Sequence, residues 1–179
     1  MKNMLVMMGC LVSFIIIPFF AQAAVTDSTS GGFTVKFEQF VKVQPDSLYS
    51  YLSRDIGKWW NPEHTWSGKA SNLSIQPWAN GCFCEKLDNG GSVRHMIVVY
   101  ADPGRMLRME GGIGPLQSLA VTAVMTFVIK QENGFSRITL TYVISGYIPG
   151  GTQHWAPIVD RVMGEQFGRL AAWGEKHSL

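Results

Sequence analysis

The sequence predicts an α+β domain in which an antiparallel sheet of about seven strands packs its concave face on one long C-terminal helix. Two observations carry this. From Phe33 to Ile144 the apolar residues recur with period two in short stretches separated by turn signals, whereas from Trp155 to Trp173 they recur at helical spacing. A helix with an apolar stripe, arriving after a run of hairpin-connected strands, can bury that stripe only against the sheet.

Taken in order, Thr26 to Gly32 is small and polar, so residues 24–32 read as a flexible leader, with the domain proper spanning 33–179. Phe33, Val35, Phe37, Val41 and Val43 then alternate with polar neighbours as a half-buried strand whose inner face carries one polar residue, Gln39. Pro45-Asp46-Ser47 starts a helix bearing Leu48, Tyr51 and Leu52, which fails near Gly57. A loop rich in tryptophan follows. Six strands come next: Leu73/Ile75, Cys82–Leu87, Val93–Val99, Met106–Glu110, Val121–Ile129 and Ile138–Ile144, divided by Asn80-Gly81, Asp88-Asn89-Gly90-Gly91, Asp102-Pro103-Gly104, Gly111–Pro115 and Glu132-Asn133-Gly134. In the last segment Trp155, Ile158, Val159, Val162, Met163, Leu170 and Trp173 project onto one helical face, and Asp160, Gly164, Gly168 and Ala172 onto the other.

The N-terminus has the pattern of a cleavable secretion signal. Lys2 precedes a nearly uncharged run from Met4 to Phe20, and Ala21-Gln22-Ala23 places small residues where cleavage is read, so residues 1–23 are expected to be removed. The rival is an uncleaved anchor, which Pro18 and the Ala-Gln-Ala disfavour. Cys10 lies inside the apolar run and not after it, which argues against a lipid-anchored form. A periplasmic or secreted location follows as an expectation.

Cleavage leaves about 156 residues, the size of a single domain. Lys+Arg number 15 against 13 Asp+Glu, with none of the basic excess of a nucleic-acid binder. No later apolar run approaches membrane-spanning length. Oligomeric state is left open.

Three features carry a family resemblance: Ile56-Gly57-Lys58-Trp59-Trp60 after the first helix, Gly81-Cys82-Phe83-Cys84-Glu85 opening a strand, and the late helix. Over Phe33 to Trp173 the chain resembles the SRPBCC or START-like superfamily, the helix-grip fold shared by the Bet v 1 allergens, polyketide cyclases and Hsp90-activator homologues. The resemblance implies a curved sheet gripping the C-terminal helix around an apolar cavity that in many members holds a lipid-like or polycyclic ligand. It supplies no shared catalytic residues. An exported protein would not meet the cytosolic Hsp90 that one family name invokes.

Glu85 and His95 form the leading chemical pair. With a loop of Asn89 to Gly91, Leu87 faces Val93, Glu85 faces His95 and Phe83 faces Ile97, all inward; a two-residue Asn-Gly turn would set Glu85 opposite Arg94 and Cys84 opposite His95. Inward on an apolar wall, the pair could act as general acid and base, anchor a ligand's hydroxyl or carbonyl, or satisfy itself as a core pair. Gln166 projects near the centre of the apolar stripe and needs partners there: Tyr142, Gln39 or a ligand.

Cys82 and Cys84 are the only thiols after the signal. A disulfide between them requires the strand to bulge; two free thiols and a metal site completed by His95 are the alternatives, and no metal or other cofactor is expected. Trp59, Trp60, Trp66, Trp78 and Trp155, with His64 and His154, suit a cavity mouth or ordinary packing. Gly111–Leu116 reads as a flexible or closely packed rim loop, whose glycines would permit gating; it lacks the strand-to-helix context of a phosphate loop.

These readings converge on a single-domain protein that takes a small hydrophobic molecule between sheet and helix, with Gln166, Tyr142, Trp60, Trp155, Val162 and Phe83 as candidate contacts. The alternatives are a cyclase-, hydrolase- or isomerase-type enzyme using Glu85 and His95, and an interaction module with no ligand.

Overall fold

The computed structural model describes residues 24–178, so the expected signal segment, 1–23, lies outside the described residues. The elements run β1 (Ala24–Thr29), β2 (Gly32–Val41), α1 (Pro45–Arg54), α2 (Ile56–Trp59), β3 (Leu73–Ile75), β4 (Cys82–Lys86), β5 (Ser92–Asp102), β6 (Met106–Glu110), β7 (Val121–Glu132), β8 (Phe135–Gly146) and α3 (Thr152–Lys176). All strand pairs are antiparallel in one sheet of order β1-β2-β8-β7-β6-β5-β4-β3. The domain is therefore α+β, with eight strands where about seven were expected.

The added strand is β1. The segment read as a flexible leader pairs along β2 from Ala24↔Lys36 to Thr29↔Gly32, with an irregularity between Val25 and Asp27. It carries no apolar alternation because its side chains from Val25 to Thr29 are exposed; the strand is held by its backbone ladder to β2 and by the hydrogen bond from Thr152 Oγ1 of α3 to the Thr29 carbonyl.

Alternation elsewhere does what period two requires. Val35 and Met125 flank Tyr142, and Phe37 and Phe127 flank Leu140, so β2, β8 and β7 present a continuous buried inner face. Pro45 occupies the first turn of α1, where its missing N–H costs no hydrogen bond, and Asp46 beside it favours the same helix end. Leu48, Tyr49 and Leu52 of α1 are buried.

α3 divides its surface differently from the expected projection. Its buried residues are Thr152, Ala156, Val159, Met163, Gln166, Phe167, Leu170, Ala171 and Gly174. Gly164, assigned to the far face, looks at β2: a Cβ there would sit 3.1 Å from the Phe37 ring, which also packs on Phe167 at 5.8 Å between centroids. A glycine reads as polar-face filler in a projection, yet here it is what lets the helix approach the sheet. Trp155, Ile158 and Val162 are displaced to a flank, where they face a cavity.

Candidate functional site

The cavity lies between the inner face of the sheet, the loop after α2 and the first half of α3, with a volume of about 310 Å³. Trp60, Trp66 and Trp155 stand around it; Tyr142 and His95 come from the sheet, Ile113 and Leu116 from the loop after β6, and Ile158, Val162 and Met163 from α3. Of the expected contacts, Trp60, Tyr142, Trp155 and Val162 are in its wall. Phe83 and Gln166 are not. Phe83 lies behind the wall, edge-on to Trp60 at 5.6 Å and 4.9 Å from the His95 ring.

The β4–β5 hairpin brings Glu85 and His95 together, in neither of the expected registers. Glu85 pairs with Val93 and Cys84 with Arg94; the ladder then shifts, so that Phe83 meets Met96 and Cys82 meets Ile97. The loop has the expected three residues but sits one position earlier, at Asp88–Gly90: Leu87 N–H donates to the Gly91 carbonyl, and Gly90 takes the left-handed conformation at φ 84°. His95 is the extra residue of a bulge, so His95 and Met96 are consecutive and both buried. Beyond the bulge the inner face belongs to Met96 and Val98, and Val99 is exposed. Glu85 and His95 thus meet diagonally, with His95 Nε2 3.0 Å from Glu85 Oε2.

Glu85 is fully buried and does more than face a histidine. Its Oε2 also accepts from Trp66 N–H at 3.1 Å, and its Oε1 accepts from Ser67 N–H. Burial pushes the carboxyl's pKa up, but hydrogen bonds from Ser67, Trp66 and His95 outweigh it and hold the value below the ordinary range. An ionised carboxylate can only accept, so His95 donates from Nε2, and Nδ1 carries the lone pair. That Nδ1 is buried and has no hydrogen-bond partner among the described residues, although His95 lines the cavity. Burial lowers the imidazole's pKa against the opposing pull of Glu85, which keeps the ring neutral near pH 7. Held this way, His95 lends the wall a neutral ring backed by Glu85, and its Nδ1 is covered by neighbouring atoms, so a molecule in the cavity reaches that nitrogen only if the wall shifts. Glu85 itself does not reach the cavity, contrary to a dyad in which both groups touch substrate.

A second set of contacts secures the same loop from the helix side. Gln166 Oε1 accepts from Asn61 N–H at 2.8 Å, a backbone partner in place of the expected Tyr142 or Gln39, and its Nε2 finds no partner among the described residues. Glu165 takes the Asn61 side-chain amide and lies 3.2 Å from His64 Nε2; the Asn61 hydrogen bond, more than His64, holds its pKa down. Residues 61–67 therefore form a strap fixed to β4 at one end and α3 at the other. Sequence reasoning missed this role of Glu85 and Glu165, because a carboxylate that binds backbone N–H groups leaves no mark in side-chain spacing.

The glycine-rich loop takes the closely packed form of the two expected. Tyr142 donates to the Gly111 carbonyl at 3.1 Å and accepts from Ile113 N–H at 3.3 Å; burial raises its pKa, so it stays a neutral donor. Gly111 has φ 146°, and a Cβ there would collide with the His95 carbonyl oxygen, so this glycine is required by close approach to the bulge. Cys82 and Cys84 are joined in a disulfide across the register shift, with Cα atoms 5.4 Å apart. No group of metal-binding side chains occurs among the described residues. Trp59 is core, Trp78 is exposed away from the cavity, and His154 packs edge-on to Trp155.

No protein-family model and no curated protein matches the chain. Solved structures do. Protein MLL2253 of Mesorhizobium loti superposes with TM-score 0.56 at 18% identity, covering 82% of this chain and 99% of that one. The Aha1 dimer of Colwellia psychrerythraea gives 0.57 at 14% identity over 79% and 96%, and protein CV1439 of Chromobacterium violaceum 0.55 at 14% over 79% and 96%. The arrangement is helix-grip-like. At these identities the likeness concerns the fold, and the chemistry of this helix-grip-like domain rests on its own residues.

Proposed function

We propose that this chain is an exported domain of the SRPBCC (START-like) superfamily that binds a small hydrophobic molecule between its sheet and α3. One observation carries the reading: an apolar cavity of about 310 Å³ between sheet, strap and α3, lined by Trp60, Ile113, Leu116, Ile158, Val162 and Met163 with Tyr142 and His95 from the sheet. Ligand sites pair an apolar lining with a few placed polar groups. Residues 1–23 have the composition of a secretion signal, and the Cys82–Cys84 disulfide suits an oxidising compartment; both support export.

Native mass spectrometry of the protein purified from its own host tests the binding. The expected result is a population carrying one neutral small molecule that is lost on denaturation. Apo protein alone, from host material never exposed to detergent or organic solvent, would count against it.

A second reading, an acid/base enzyme of the cyclase, hydrolase or isomerase type, draws on the carboxylate-backed imidazole in the wall. It assigns proton transfer to His95, once a shift of the wall uncovers Nδ1, and a positioning role to Glu85. Turnover of a bound ligand that disappears in His95→Phe while binding persists would favour it.

A further inference from the structure

We propose that the Cys82–Cys84 disulfide is a thiol–disulfide exchange site that passes its disulfide to a dithiol of another protein. The proposal stands on the β4–β5 hairpin and is independent of the ligand-binding reading. Phe83 alone separates the two cysteines, and its ring is held in the core against Trp60 and His95. The cysteines themselves are half-buried on the outer face of the sheet. Cys82 begins β4 and lies beyond the end of β3, whose last residue, Ile75, pairs with Phe83; on that side Cys82 N–H donates to Gln76 Oε1 at 3.2 Å. Cys84 stands directly opposite Arg94 and two residues before Lys86. Two cations thus share its face, and neither forms an ion pair among the described residues. Glu85 points to the opposite face, and Glu110 of β6 lies two strands away, paired with Ile97.

Two features leave this disulfide weakly held by the fold. Its loop is the shortest but one that a chain can close, so it constrains the unfolded state little, and by linkage folding stabilises it equally little. Two residues of a flat strand span about 6.6–6.8 Å, the far end of what a disulfide tolerates, whereas the Cα atoms of Cys82 and Cys84 are 5.4 Å apart across the step where the ladder to β5 shifts. Reduction lets β4 extend toward the regular pleat, so the sheet favours the dithiol. The exchange takes two steps. A thiolate of the partner attacks Cys82 Sγ, at the open end of β4, and the bond to Cys84 breaks; Cys84 departs as a thiolate beside Arg94 and Lys86, whose charges favour the anion. The partner's second thiolate then attacks the partner's own sulfur in the mixed disulfide and releases Cys82. The partner is oxidised by two electrons to a disulfide, and the two protons of its thiols end on Cys82 and Cys84.

The test is equilibration of the purified protein with reduced thioredoxin, a dithiol of known potential, at pH 7, followed by acid quench, alkylation and mass analysis of the peptide bearing Cys82 and Cys84. The exchange constant should favour the reduced domain by at least about tenfold, which is ~30 mV for a two-electron couple, with the circular dichroism unchanged. Arg94→Glu should slow the forward reaction about threefold or more, while Lys36→Glu, on β2 and away from the disulfide, should not. A constant below tenfold, a disulfide untouched in the folded protein, or unfolding on reduction would overturn the proposal, and none of these bears on whether the cavity binds a ligand. Equal rates for Arg94→Glu and the wild type would overturn the assignment of Cys84 as the departing sulfur.

Discussion

Glu85 binds two backbone N–H groups and an imidazole while wholly out of water, so its charge is satisfied only by contacts that also fix the strap over the cavity. Glu85→Gln places an amide NH₂ where an acceptor is needed, against a backbone N–H. The expected cost is about 2–3 kcal/mol by urea unfolding, with faster hydrogen exchange at the Trp66 and Ser67 amides. A change below about 0.5 kcal/mol, the size of a surface substitution, would show that the carboxylate does not hold the strap. His95 adds a pH dependence of definite sign. Its folded-state pKa is lowered, so protons bind the unfolded chain in preference; stability is whole above the ordinary imidazole value of about 6.5 and falls as pH drops from there through the folded value. Glu85, also lowered, acts in the same sense from about pH 4.3 downward. Urea midpoints between pH 8 and 3 should therefore decline in two steps, and His95→Phe should lack the first.

Among the elements, the β4–β5 hairpin decides where the histidine points, and its bulge is braced by neighbours on two sides. Gly111→Ala would force a side chain into the His95 carbonyl at a φ that L-residues avoid; a loss of about 2 kcal/mol or more in thermal unfolding is expected, with altered His95 ring shifts by NMR. The disulfide closes a very short loop, so removing it with Cys82→Ser/Cys84→Ser should cost only about 1–2 kcal/mol and leave the fold intact. This hairpin is also where the sequence was least legible. Strict alternation puts Ile97 and Val99 inward after His95, but one bulged residue reverses parity, and Met96 and Val98 are the core residues. β1 escaped notice for the opposite reason, since an exposed edge strand has no apolar face to reveal. The remaining strands and α1 were legible from period and turn chemistry because each buries one face.

The whole molecule is a sheet and a helix joined by a strap, and the cavity exists because Ile158 and Val162 face the strap and Tyr142 instead of packing directly on β2. Val162 and Trp155 could be placed at the site from the helical stripe; Ile113, Leu116 and the strap's anchors could not, because loops carry no periodicity. A molecule bound there should perturb one contiguous set of side chains drawn from distant parts of the chain. Methyl NMR during a naphthol titration measures this directly. The account predicts that Ile113, Leu116, Ile158, Val159, Val162 and Met163 shift together and saturate, while Val143 on the outer sheet face stays still. Unmoved cavity methyls, or shifts confined to the outer face, would contradict it.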